Sequence, residues 1–127
     1  MSKRIVIVDD SLFLIKQLTA FMEVAMGFTV VGTGSDGNQA VALYRQHKPD
    51  LITLDITMPN KDGMEALAEI LEEFPDANIM MISAIRGQEM TKCIKTGARA
   101  YMEKPLLFND DQFVRDFKAS LAEVFDA

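Results

Sequence analysis

The sequence predicts an α/β protein in three layers, a sheet of five parallel strands with five helices divided between its two faces. Two observations carry this. Five short apolar runs alternate along the chain with longer amphipathic stretches of helical spacing. The runs are also apolar throughout, the pattern of strands covered on both sides, rather than apolar at every second residue.

Each element has its own reason. Ile5-Val6-Ile7-Val8 is β-branched throughout and forms the first strand. Ser11 caps a helix reaching about Met26, with Leu14, Leu18, Phe21 and Met22 near helical spacing, and Gly27 stops it. Thr29-Val30-Val31 is the second strand, followed by a glycine-rich turn. Gln39 to Gln46 is helical with Val41, Leu43 and Tyr44 inward, and Pro49 lies beyond its end. Leu51-Ile52-Thr53-Leu54 is the third strand and Pro59 to Gly63 a turn. Met64 to Phe74 is a helix closed by Pro75. Ile79-Met80-Met81-Ile82 is the fourth strand, ending at Ser83, and Glu89 to Thr96 is a helix that Gly97 ends. Ala100-Tyr101-Met102 is a short fifth strand broken by Pro105. Asp110 or Asp111 starts the last helix, whose apolar positions are Phe113, Val114, Phe117, Leu121 and Val124.

Length and charge narrow the function. Residues 1–127 suffice for one domain, and no repeat, linker or low-complexity segment divides them. A net charge of −6 makes direct binding to a nucleic-acid backbone a poor expectation. The single cysteine, Cys93, excludes an internal disulfide, and the single histidine, His47, excludes a histidine-rich metal site. No apolar run approaches the ~20 residues of a membrane span, and the four apolar residues after Met1-Ser2-Lys3-Arg4 are too few for a signal peptide. A cytoplasmic setting is expected.

An open parallel sheet binds its ligands beyond the carboxyl ends of the strands. Strand one ends in Asp9-Asp10, strand three in Asp55, strand four in Ser83, and Lys104-Pro105 follows strand five. Each is ordinary alone, since acids after strands are usually solvated turns. Together they put three carboxylates, a hydroxyl and an amine on one sheet edge. Three such carboxylates repel unless a cation sits among them. Mg²⁺ fits, because it takes few carboxylates and binds phosphate oxygens, and Mn²⁺ is the alternative. Zn²⁺ lacks its thiolate and imidazole partners. A carboxylate beside such a cation can attack phosphorus and form an acyl phosphate. Asp55 is the best nucleophile, Asp9 and Asp10 hold the metal, and Ser83 and Lys104 grip the phosphoryl oxygens.

These residues, with Thr57-Met58-Pro59, Asp62-Gly63, Ser83-Ala84 and Gly97-Ala98-Arg99-Ala100-Tyr101, make the chain resemble the receiver domains of two-component response regulators, of the stand-alone CheY-like type. The resemblance spans essentially the whole chain. It implies a flavodoxin-like fold with strand order 2-1-3-4-5. It implies that Asp55 accepts a phosphoryl group from the phosphohistidine of a sensor histidine kinase. Asp10, Asp55 and the backbone carbonyl of Thr57 would ligate Mg²⁺, with Asp9 acting largely through water. Ser83 would move toward the phosphoryl group as Tyr101 changes rotamer, and the Lys104–Pro105 bond would be cis. The chain would catalyse only its own phosphotransfer and dephosphorylation. Its output would be a protein target on the face of the fourth helix, fifth strand and fifth helix, in chemotaxis or a similar pathway, with no DNA-binding or catalytic segment after Phe125. Two stretches depart from the common pattern: Ser83 to Gly97 is about one residue short, and Leu106-Leu107-Phe108-Asn109 follows Lys104-Pro105.

Other readings compete. The chain is alternatively a phosphorelay intermediate passing phosphate to another histidine, a small Mg²⁺-dependent phosphatase working through an aspartyl phosphate, or a passive adaptor. Gly32, Gly34 and Gly37 match G-x-G-x-x-G, but after the second strand, not the first, so turn conformations are the simpler expectation for them. Most of the nine methionines belong to the core, with Met58, Met64 and Met90 able to border the site. Cys93 reads as inert packing, His47 as a partner of helix-terminal carbonyls, and Ile85 as a shield for the phosphoryl group.

Overall fold

A computed structural model describes residues 2–126. Met1 and Ala127, the ends of the predicted domain, lie outside the described residues. The elements run β1 (Arg4–Val8), α1 (Leu12–Ala20), β2 (Thr29–Gly34), α2 (Gly37–His47), β3 (Leu51–Leu54), α3 (Gly63–Glu73), β4 (Ile79–Ser83), α4 (Gln88–Thr96), β5 (Ala100–Glu103) and α5 (Asp111–Asp126). All the strand pairs are parallel, in the order β2-β1-β3-β4-β5.

Alternation along the strands builds two cores. Val6, Val8, Ile52, Leu54, Ile79 and Met81 face α2, α3 and α4. Ile5, Ile7, Leu51, Met80 and Ile82 face α1 and α5. Phe117 of α5 is fully buried and meets Phe21, Phe108 and Phe113 at ring distances of 5.3, 5.5 and 5.9 Å.

Polar residues start the helices where the sequence puts them. Ser11 Oγ accepts from the Leu14 amide, Asp62 and Glu65 form a capping box, and Asp110 accepts from the Phe113 amide. Helix α2 ends at His47, and Lys48, whose φ of 42° is left-handed, caps it before Pro49.

Three expectations need correction. The helix predicted to run to Met26 is α-helical only to Ala20, and a π-helical turn, Phe21–Ala25, completes it. The wider turn buries the consecutive Phe21 and Met22 while Val24 stays exposed. Strand β2 continues through the glycines to Gly34, and none of Gly32, Gly34 or Gly37 has positive φ. Their use is close approach: a Cβ on Gly32 would lie 3.1 Å from Leu43, and one on Gly34 3.0 Å from Gln39, both on α2. The His47 ring lies against Gly32 of β2, rather than at the helix-terminal carbonyls.

Candidate functional site

The strand ends are held level by backbone bonds. The Asp9 amide donates to Gly34 O at 3.0 Å, the Asp55 amide to Val8 O at 3.1 Å, and the Lys104 amide to Ser83 O at 3.0 Å. Parallel register therefore brings residues far apart in the chain to one sheet edge. Asp9, Asp10 and Asp55 each offer a carboxylate oxygen, and these atoms lie within 4.8 Å of one another. Asp9 and Asp55 are buried, and Asp10 is exposed.

Lys104 enters from the loop after β5, through a cis Lys104–Pro105 bond. Its Nζ lies 2.9 Å from Asp9 Oδ2 and 3.2 Å from Asp55 Oδ2. Both contacts are ion pairs, and the one to Asp55 also has hydrogen-bond geometry. Asp9 Oδ1 accepts from the Ser11 amide at 2.8 Å. Burial and then repulsion from Asp9 push the Asp55 carboxyl above its ordinary range, against the pull of Lys104. Burial alone would lower the Lys104 ammonium, but its bonds and attraction to Asp9 and Asp55 outweigh that and push it up.

A divalent cation fits this set. The donors are all oxygen, and three acids face one lysine, which leaves negative charge at this edge uncompensated. Thr57, the carbonyl candidate, is exposed in the loop between β3 and α3.

Ser83 is buried at the end of β4, and its hydroxyl accepts from the Ile85 amide at 3.2 Å. Tyr101 is half-buried on β5, and its hydroxyl donates to the Ile85 carbonyl. Burial raises the Tyr101 phenol. The Ile85 backbone thus joins the two switch candidates, a link with no signal in the sequence because its atoms belong to the main chain. Gly63 is a second residue whose part was missed. Its amide donates to Ile56 O at 2.7 Å, and a Cβ there would lie 1.9 Å from the Asp55 carbonyl, so no side chain fits. The Asp62-Gly63 pair is the signal that could have found it.

Met58 and Met64 line a cleft of about 560 Å³ with Thr57 and Ile85 beside this edge. Cys93 is fully buried in α4, its Sγ 3.0 Å from Met64 Sδ, and burial pushes its thiol up, as inert packing requires.

The chain's sequence matches the family model described as response regulator receiver domain over residues 5–116. It is 41% identical over 106 residues to the chemotaxis protein CheY of Thermotoga maritima, covering 83% of this chain and 88% of that protein. It is 43% identical, with the same coverage, to the chemotaxis protein CheY of Bacillus subtilis. Among solved structures, a chain of the CheX–CheY–BeF3–Mg²⁺ complex of Borrelia burgdorferi superposes with a TM-score of 0.84 at 38% identity, over 94% of this chain and 88% of that one.

Proposed function

This chain belongs to the response regulator receiver domain family, and from that membership we propose that it is a switch thrown by phosphorylation of Asp55. It is a CheY-like receiver of two-component signalling. The observation that carries the reading is the meeting of Asp9, Asp10 and Asp55 within 4.8 Å, with Lys104 on two of them.

The donor is the phosphohistidine of a sensor histidine kinase. An Asp55 carboxylate oxygen attacks its phosphorus, the O–P bond forms as the N–P bond breaks, and the histidine nitrogen keeps the electron pair and takes a proton. Lys104, already against Asp55, turns its ammonium to the transferred oxygens, and the Ser83 hydroxyl donates to another. Asp10, Asp55 and the Thr57 carbonyl would hold Mg²⁺ or Mn²⁺, with Asp9 at its margin. When bound, the cation supplies positive charge against the phosphoryl oxygens.

Transmission follows from the Ile85 bonds. Ser83 Oγ cannot turn to the phosphoryl group and keep its bond from the Ile85 amide. When the Ile85 peptide shifts, Tyr101 loses its present acceptor and repacks, which alters the face of α4, β5 and α5. Ile94, exposed on that face at 47%, is one apolar contact for a protein target. The relatives' chemotaxis names support a chemotaxis output, and no helix of the described residues is long and apolar enough to cross a membrane, in keeping with a cytoplasmic switch. Catalysis is confined to the chain's own phosphotransfer and dephosphorylation.

The test is transfer from a phosphorylated histidine kinase domain in Mg²⁺. Wild type removes the label from the kinase and Asp55→Asn does not; equal transfer to both proteins refutes the reading.

A further inference from the structure

We infer that Asp36, outside the acid cluster, is a positioning residue that holds the β3–α3 loop, and with it the Thr57 carbonyl, in the shape that receives a divalent cation. The inference rests on the reading above and adds a residue to it.

The loop runs from Asp55 to Asp62 and is pinned at both sides. Its inner end is fixed by the Gly63 amide on Ile56 O at 2.7 Å. Its outer side has no strand or helix of its own, and Thr57, Pro59 and Asn60 are all exposed. What holds it is the start of α2. Asn60, at a left-handed φ of 66°, donates from Nδ2 to Asp36 Oδ2 at 2.8 Å. The Gly37 amide donates to Lys61 O at 2.7 Å, and a Cβ on Gly37 would lie 2.4 Å from that oxygen. These contacts hold the loop at Ile56 on one side of Thr57 and at Asn60 and Lys61 on the other.

Capping alone does not require Asp36. A cap needs one oxygen, and Asp36 Oδ1 supplies it by accepting from the Gln39 amide at 2.8 Å. Serine would do the same. The second oxygen is spent on the loop, in a charge-assisted bond that only a longer side chain can make. Asp36 as a residue is 8% exposed. Its bonds from Gln39 and Asn60 also keep the Asp36 carboxyl below its usual range, so the charge persists.

Two substitutions remove the same bond from opposite sides. Asp36→Ser keeps the cap and loses the reach to Asn60. Asn60→Gly keeps the left-handed backbone and loses the amide. Asp36→Asn retains both bonds, because its amide can cap α2 and donate to a flipped Asn60. The readout is the Mg²⁺ concentration that half-saturates amide chemical-shift changes in the unphosphorylated protein, with far-UV circular dichroism as the check on folding.

Asp36→Ser and Asn60→Gly should each raise that concentration on the order of tenfold, as loss of a group orienting a ligand does. Asp36→Asn should stay within about twofold of wild type, and the double variant should be no worse than either single one. Wild-type half-saturation in both single variants, or additive losses in the double, overturns the inference while the phosphorylation reading stands. If Asp36→Ser does not fold, Asn60→Gly against wild type decides. A wild-type protein with no response to Mg²⁺ refutes the phosphorylation reading and this inference with it.

Discussion

Asp55→Asn should stabilise the cation-free protein, although it removes an ion pair. The Lys104 ammonium at 3.2 Å attracts Asp55 by about 5 kcal/mol at an effective dielectric constant of roughly 20. Against this stands repulsion from Asp9, whose carboxylate oxygen lies within 4.8 Å and contributes about 3.5 kcal/mol on the same scale. Asp10 repels as well, but it is exposed and screened. A carboxylate buried to 5% exposure carries several further kcal/mol of desolvation. The amide oxygen that the substitution leaves in place still accepts from Lys104, and Lys104 keeps Asp9 at 2.9 Å. The balance favours the amide by about 1–2 kcal/mol. With a urea dependence near 1.5 kcal/mol per molar, the unfolding midpoint in EDTA at neutral pH should rise by roughly 1 M. Mg²⁺ should then raise the wild-type midpoint more than the variant's. A variant midpoint below wild type in EDTA, or an equal gain from Mg²⁺ in both proteins, would refute this account of the site's electrostatics.

Other substitutions test other parts. Gly63→Ala forces a Cβ against the Asp55 carbonyl and should cost about 2 kcal/mol or more, with loss of Mg²⁺-induced stabilisation; urea unfolding with and without Mg²⁺ measures both. Tyr101→Phe leaves the Ile85 carbonyl without its donor and should destabilise by about 1 kcal/mol in the same assay. Phe117→Ala opens the aromatic cluster and should cost about 3–5 kcal/mol. Cys93 should resist a thiol reagent in the native protein even at alkaline pH, because burial both blocks access and raises the thiol, leaving less thiolate than a free cysteine has at any pH. Labelling should begin only with unfolding in denaturant. Ile85→Ala should lose phosphoryl label faster than wild type if Ile85 keeps water from Asp55; equal decay rates reject that shield.

The central strands were legible because burial on both faces leaves them apolar almost throughout, with Thr53 and Ser83 the polar exceptions among their buried residues. Ile5 to Val8 and Leu51 to Leu54 read as strands without knowledge of their neighbours. The π turn was not, since Phe21 and Met22 fit an α-helical period well enough to hide the change. Strand β2 was cut short because Gly32 and Gly34 look like a turn, and only the position of α2 explains why they must be glycine. The acids, Ser83 and Lys104 were legible through one rule, that strand ends share an edge. The strength of the grouping came from their order along the chain, as each residue alone has an ordinary explanation. The bond between Asp36 and Asn60 joins residues 24 apart, and the part played by Ile85 belongs to its backbone, so neither leaves a pattern in residue types.

The most direct measurement of the central claim is chemical trapping of the acyl phosphate. The protein is incubated with a small phosphodonor and Mg²⁺, then reduced with borohydride, which converts a phosphorylated aspartate to homoserine, and the product is mapped by tandem mass spectrometry. Homoserine at position 55 and nowhere else, absent when EDTA replaces Mg²⁺, is the predicted result. Homoserine at position 9 or 10, or an unreduced Asp55 in protein that carries the phosphate, would contradict it.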